Sequence, residues 1–258
     1  MGILNITPDS FSDGGKFLET ENAIEHGLKM LEDGADWLDL GAESSRPGSD
    51  PVSAQHELER LLPVISGILR HKPEAILSVD TYKAEVAEKS VAAGCSIVND
   101  ISSGNLDNEM IKTVAKLKVA YILMHMSGTP KTMQNQPEYQ NVTQEVFHFL
   151  ANKKTIASLS GIETILVDPG FGFGKSLEHN YELLKGLPFL SGLNSPIVVG
   201  ISRKSMIGSI IKKQASERVL ATKVAETIAY LNGARVFRVH DVKETKEMLE
   251  ILKFYRSV

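Results

Sequence analysis

Short apolar runs along the chain each end in polar or charged side chains of kinds that bind or activate substrates. Asn5 closes "GILN", and Asp9 and Asp13 follow in a polar stretch with a glycine pair. Asp39 and Glu43 lie in and after "WLDLG", followed by Ser45 and Arg46; Asp80 ends "ILSVD"; Asn99 and Asp100 end "IVND"; His125 follows "AYILM". Asp168 ends "ILVD", Ser202, Arg203, Lys204 and Ser205 follow "IVVG", and Arg238, His240 and Asp241 close the last run. An unpaired polar group in a protein interior costs on the order of 1–3 kcal/mol, so packing alone does not account for such a crown. The carboxylates of Asp80 and Asp168 and the amide of Asn99 suit a flat heterocycle rich in N–H donors and ring acceptors. Carboxylates accept from an aminopyrimidine edge, and an amide both donates and accepts. Arg238, His240, Arg46 and Lys204, with a helix N-terminus at Ser205, add positive potential. Together they describe a ligand with a heterocyclic end and an anionic end.

Simpler readings exist for single members. Asp241 reads as a helix N-cap, because Val242–Tyr255 has helical character. Asp100 can cap a turn, Asp39 can pair with a cation on a neighbouring strand, and His125 can be a satisfied core histidine. "PGFGFGKS" (Pro169–Ser176) suggests a phosphate-binding loop, but the first glycine such a loop needs is Pro169, and the glycines at 170, 172 and 174 do not make G-x-G-x-x-G. It reads instead as a mobile glycine-rich loop offering the rings of Phe171 and Phe173 to an aromatic ligand, although both could fill the core. No H-E-x-x-H or H-x-H pattern appears, and no G-x-S-x-G elbow supports a serine nucleophile.

Elements of matching regularity must position these residues. Strands are predicted at Ile3–Ile6, Trp37–Gly41, Ile76–Asp80, Ile97–Asp100, Ala120–Met124, Ile165–Asp168, Ile197–Gly200 and Val236–Val239, apolar on both faces as buried parallel strands are. Helices are predicted at Glu21–Asp33, Ser53–Arg70, Lys83–Ala93, Asn108–Lys118, Gln144–Leu159, Asn180–Lys185, Ser205–Leu231 with a break near Gln214, and Lys243–Tyr255. Gly34 and Gly94 punctuate helix ends. Eight β-then-α units in 258 residues fit a single-domain (β/α)8 barrel spanning 1–258, with a doubly wound open sheet as the competing architecture. In such a barrel, chemistry sits where the strands end.

Composition narrows the classes. The chain is 42% apolar and 23% charged with net charge −4, ordinary for a globular protein and too weakly charged to argue for nucleic acid or an anionic membrane. Cys95 is its single cysteine, which excludes an intrachain disulfide and a thiolate metal cluster and suggests a reducing cytoplasm. No apolar run reaches the ~20 residues of a membrane span, and no leader pattern precedes Gly2.

The blocks "MGILNITPDSFSDGG", "GAESSRPGS", "SVDTY", "VNDIS", "LMHMSGTPKTMQ", "DPGFGFGK", "GISRKSMIG" and "RVHDVKET", in this order from Met1 to the last helix, resemble the dihydropteroate synthase family of folate biosynthesis. The resemblance implies a (β/α)8 barrel, usually a homodimer, that joins a dihydropterin-methyl diphosphate to p-aminobenzoate with Mg²⁺ and releases diphosphate. It implies that Asn5 helps hold Mg²⁺ and the diphosphate, and that Ser45, Arg238 and His240 contact the diphosphate end. Asp80, Asn99, Asp168 and Lys204 would line the pterin pocket; Arg46, Pro47, Phe173, Lys204 and Ser205 would frame p-aminobenzoate. Asp13, in a loop that closes over the substrates, would stabilise a cation on the pterin methylene, with Asp9 the weaker candidate. Many relatives carry threonine where this chain has Ser45, which preserves the hydroxyl. Relatives also have a segment ahead of the "MGILN" block, expected to be missing here. A pterin-dependent methyltransferase domain and a catalytically silent pterin-binding paralogue are the alternatives; "SSRPGS" and "SRKS" favour the synthase over the first, and Asn5, Arg238 and His240 over the second.

Overall fold

A computed structural model describes residues 1–7, 15–44, 49–129, 133 and 137–258. Asp9, Asp13, Ser45, Arg46 and Pro47 lie outside them. Six strands form one parallel sheet in chain order: β1 (Gly2–Asn5), β2 (Leu38–Gly41), β3 (Leu77–Asp80), β4 (Ile97–Asp100), β5 (Ala120–Met124) and β6 (Ile165–Asp168). A parallel pair, β7 (Val198–Val199) with β8 (Val236–Phe237), fills the gap. Parallel bridges Val167–Ile197 and Gly2–Val239 join that pair to β6 and β1. The ring therefore closes, and the barrel expectation holds against the open sheet.

Helices alternate with the strands: α1 (Gly15–Glu32), α2 (Ala54–His71), α3 (Ala84–Ala92), α4 (Met110–Leu117), α5 (Val142–Leu159), α6 (Leu177–Leu190), α7 (Ser205–Ile211), α8 (Val219–Leu231) and α9 (Val242–Ser257). Local chemistry sets several starts. Ser53 caps α2 by accepting from the His56 amide at 3.3 Å, and Asn141 caps α5 by accepting from the Gln144 amide at 3.0 Å. The segment from Ser205 to Leu231 breaks around Gln214 as expected. The expected helix Asn180–Lys185 is instead Leu177–Leu190, for two reasons. Ser176 and His179 form a reciprocal capping box that starts it earlier, and it continues through Pro188. The Leu184 carbonyl, which loses its helical donor at Pro188, accepts from Asn232 Nδ2 at 2.8 Å. α1 likewise begins before the predicted Glu21.

Strand side chains alternate between two faces, and the alternation fixes where polar groups can stand. Outward residues such as Leu4, Leu40, Val79, Val98, Leu123, Val167, Val199 and Phe237 pack in the main core beneath the helices. Inward residues Met1, Trp37, Ile97, Ala120, Ile122, Leu166, Val198 and Val236 form a separate apolar plug. Stepping two residues on from the plug gives Asp39, Asn99, Met124, Asp168, Gly200 and Arg238. The same period that fills the barrel therefore delivers its polar residues to one mouth. Interstrand register levels them: Asn5 pairs with Gly41, Gly41 with Asp80, Asp80 with Asn99, and Met124 with Asp168.

Candidate active site

Arg238 is the hub of the mouth. It follows β8, its amide donating to the Val199 carbonyl at 3.0 Å. Its guanidinium donates from Nε to Asp39 Oδ2 and from Nη2 to Asp80 Oδ2, both at 2.6 Å. Asp39 is buried and accepts again from Asn99 Nδ2 at 3.0 Å, while its Oδ1 has no partner. Burial raises the Asp80 pKa to about 7; Arg238 opposes this and the Asp39 charge adds to it. Burial thus keeps the Asp80 carboxyl protonated to a higher pH than an exposed carboxyl, even with Arg238 beside it. Burial alone would lower the Arg238 pKa, but Asp39 and Asp80 more than offset it, so it stays charged. Nη1 makes no hydrogen bond among the described residues.

Asp168 stands across Gly200 from Arg238. A β-carbon placed on Gly200 would lie 3.9 Å from both Arg238 Cδ and Asp168 Oδ2, so the absence of a side chain there keeps the mouth open. The Asp168 Oδ1 accepts from the Gly170 amide at 2.7 Å. Burial raises its pKa, opposed first by Lys204. Lys204 Nζ donates to the Phe171 carbonyl and lies 4.6 Å from the centroid of the Phe173 ring. Its pKa falls to about 8 because burial outweighs the attraction of Asp168.

The approach to Lys204 is set by the residue before it. Arg203 adopts φ +57°, a conformation costly for an arginine. Its amide donates to Thr222 Oγ1 at 3.2 Å, its carbonyl accepts from Arg218 Nη1 at 2.8 Å, and its guanidinium forks onto Asp241. Asp241 occupies the N-cap position of α9 but makes no side-chain cap, so its carboxylate serves Arg203 in place of the expected cap. His240 meets Ser202 Oγ through Nδ1 at 3.1 Å. Burial, then Arg238 and Arg203, push its pKa down to about 4. This corrects the expectation of a charged histidine: it enters the site as a neutral imidazole.

The structure brings Asp80, Asn99, Asp168, Lys204, Arg238 and His240 to one rim. Ser205 opens α7 beside Lys204 and is exposed. Asn5 is half-buried at the end of β1, and its amide makes no side-chain hydrogen bond among the described residues. Phe173 is half-buried, whereas Phe171 is fully buried and belongs to the core rather than to a ligand. Asp100 caps a turn, accepting from the amides of Ser102 and Gly104 and from the Tyr121 hydroxyl.

Three features were incompletely read in the sequence. The cation expected to pair with Asp39 is Arg238, on which Asp39 is the second carboxylate. Glu43 and the buried Glu57 both pair with Lys83 beside the mouth. Lys175 is buried against His125; its signal was the lysine closing a run of alternating glycines. That loop is packed closely against the end of β5, since a β-carbon on Gly170 would come within 1.9 Å of the His125 carbonyl oxygen. Among the described residues, no three His, Cys, Asp or Glu side chains converge to cage a metal, and no helix is long and apolar enough to cross a membrane.

Known proteins are similar to this chain in sequence and fold. A family of pterin binding enzymes matches residues 1–240. The chain is 42% identical to the dihydropteroate synthase of Haemophilus influenzae over 97% of this chain and 91% of that protein. It superimposes with a TM-score of 0.94 on Xanthomonas albilineans dihydropteroate synthase with 4-aminobenzoic acid, at 41% identity, covering 100% of this chain and 93% of that one. The enzyme from the same organism in complex with 7,8-dihydropteroate gives 0.89 at 39% identity, covering 100% and 93%.

Proposed function

We infer the division of labour in the mouth from one premise: the chain belongs to the pterin-binding enzyme family, among its dihydropteroate synthases. It condenses 6-hydroxymethyl-7,8-dihydropterin diphosphate with p-aminobenzoate, giving 7,8-dihydropteroate and diphosphate in folate synthesis. The observation that carries this reading is the two-sided mouth, with buried Asp168 on one side of Gly200 and Arg238 on the other.

Asp80, Asn99, Asp168 and Lys204 take the pterin. The carboxylate of Asp168 accepts from the aminopyrimidine edge, Asn99 is fixed by its bond to Asp39, and Lys204 donates to ring acceptors. Arg238 offers its Nη1 hydrogens to the leaving diphosphate, His240 donates a neutral hydrogen bond to it, and Ser45 adds a hydroxyl. Phe173, Lys204 and Ser205, with Arg46 and Pro47, receive p-aminobenzoate. The donor set fits Mg²⁺: a hard cation takes oxygen ligands, keeps several waters and binds through substrate phosphates, so Asn5 alone suffices from the protein. Bound there, Mg²⁺ supplies Lewis-acid neutralisation of phosphate charge.

The reaction is a dissociative substitution. The bond from the exocyclic methylene to the diphosphate oxygen breaks and its electron pair leaves with diphosphate, whose charge Arg238 faces. The electron-rich dihydropterin spreads the cation left on the methylene, and Asp13 stabilises it. The p-aminobenzoate nitrogen then forms the new bond with its lone pair and releases a proton. Water must be kept out, because it would trap the same cation.

The enzyme works as a homodimer in the cytoplasm. Exposed Leu220, Val224, Ile228 and Leu231 recur along one stripe of α8, and Ile251, Phe254 and Tyr255 are exposed on neighbouring α9, an apolar surface of the kind that a second copy covers. Cys95 is buried and unpaired, as suits a reducing compartment. Sedimentation of Leu220→Glu as a monomer beside a wild-type dimer supports the interface; a monomeric wild type removes it. The function is tested by incubating the protein with dihydropterin diphosphate, p-aminobenzoate and Mg²⁺. Dihydropteroate and diphosphate are expected in equal amounts, and absence of both refutes the reading.

A further inference from the structure

The roles above leave one buried cation unused. Lys175 is 3% exposed. Its Nζ donates to the carbonyls of Gly170 at 2.8 Å and Phe173 at 3.1 Å, and lies 2.9 Å from His125 Nδ1. An ammonium has three hydrogens, and three neutral acceptors meet it. For Nδ1 to accept, His125 carries its proton on Nε2. The ring stays uncharged, its pKa pushed down to about 3 by burial and then by Lys175.

The gathered carbonyls belong to a loop with a left-handed glycine at every second position: Gly170 at φ +70°, Gly172 at +82° and Gly174 at +64°. Gly170 and Gly174 are wedged against the β5 loop, since β-carbons there would lie 1.9 Å from the His125 oxygen and 2.5 Å from the Ser127 oxygen. Between the two carbonyls that face Lys175, the Phe171 carbonyl faces Lys204 Nζ, and the Gly170 amide faces Asp168 Oδ1. One short loop thus touches both charged groups of the pterin flank, and Lys175 is bonded to that loop from behind.

We propose that Lys175 is a positioning residue for the pterin pocket: by drawing two carbonyls of the glycine loop onto one ammonium, it fixes the Gly170 amide on Asp168 and the Phe171 carbonyl on Lys204. A cation without a carboxylate in contact is costly to bury, and here burial lowers the Lys175 pKa to about 7, with the nearby charge of Asp168 opposing and Lys204 adding. The cost secures the loop without placing a side chain in the mouth. The proposal rests on the assignment of Asp168 and Lys204 to the pterin.

Calorimetry on the intact enzyme separates the two flanks of the mouth. The alcohol 6-hydroxymethyl-7,8-dihydropterin carries no phosphate and probes the Asp168 side; inorganic diphosphate probes the Arg238 side. Lys175→Met is expected to weaken dihydropterin binding by about tenfold or more and to leave diphosphate within about twofold. Unchanged dihydropterin affinity, or equal weakening of both ligands, overturns the proposal. Asp168→Asn is titrated alongside. If it weakens dihydropterin and Lys175→Met does not, the positioning role alone falls; if Asp168→Asn changes nothing, the pocket assignment falls and takes the proposal with it. Should Lys175→Met fail to fold, His125→Gln keeps an acceptor for the ammonium and His125→Val removes it. Only the valine variant is then expected to lose dihydropterin affinity, and equal behaviour of the two overturns the proposal.

Discussion

On the Arg238 flank of the mouth, side chains hold side chains: Asp39 from β2 and Asp80 from β3 grip a guanidinium that follows β8. On the Asp168 flank the backbone does the holding. The Gly170 amide meets Asp168, the Phe171 carbonyl meets Lys204, and alternating glycines make the close approach possible. The difference suits the ligands proposed for the two flanks. A diphosphate needs a concentrated charge that stays charged, and the paired carboxylates keep Arg238 ionised. A flat heterocycle needs directional donors and acceptors at fixed heights, and backbone groups hold Asp168 and Lys204 in place with less conformational freedom than long side chains would.

The largest break in this contrast is Arg238→Ala. It leaves Asp39 and Asp80 buried without a cation, which costs about 3–5 kcal/mol of stability, and turnover is expected to fall by about a hundredfold or more. Denaturant unfolding and steady-state kinetics measure both, and near wild-type values in either contradict the hub assignment. Next is Gly170→Ala on the other flank. Its left-handed φ and the 1.9 Å approach to the His125 oxygen predict a loss of about 2–4 kcal/mol, with dihydropterin affinity falling further than diphosphate affinity in the fraction that folds. Equal losses would erase the distinction between flanks.

The third test sharpens the comparison through pH. Burial raises the folded-state pKa of Asp80 from its ordinary 3.8 to about 7, so between these values the folded chain binds more protons than the unfolded one. Stability therefore falls as pH rises through that window and levels off above it. The contribution is bounded at about 1.4 kcal/mol per pH unit. Subtracting the pH profile of Asp80→Asn from that of the wild type isolates it, and a difference flat from about pH 4 to 7 shows that burial does not raise the Asp80 pKa.

Barrel, strand ends and the candidates Asp80, Asn99, Asp168 and Arg238 were legible because each depends on local regularity: an apolar run, a period of two, a polar residue where the run stops. Helix α6 was misjudged because its passage through Pro188 depends on Asn232, a residue of another element. Lys175 was passed over because its partner His125 is 50 positions away in the chain. Asp39 was recognised as able to pair with a cation, but not with which one, since Arg238 lies 199 positions further on. The charge state of His240 was hidden as well, because burial and Arg203 act on it alongside the adjacent Arg238, and only the last of these is visible in "RVHD". The neighbourhoods of Asp13, Ser45, Arg46 and Pro47 fall outside the described residues.

The closure of the ring has a consequence for how the enzyme comes to life. β8 docks between β7 and β1, with the Val239 amide bonded to the Met1 carbonyl and the Ile3 amide to the Val239 carbonyl, and Arg238 travels with it. During synthesis from the N-terminus, Asp39, Asp80 and Asp168 all emerge before Arg238, so Asp39 and Asp80 lack their counter-ion until the final strand seats. Until then the mouth holds both carboxylates without the cation that joins them.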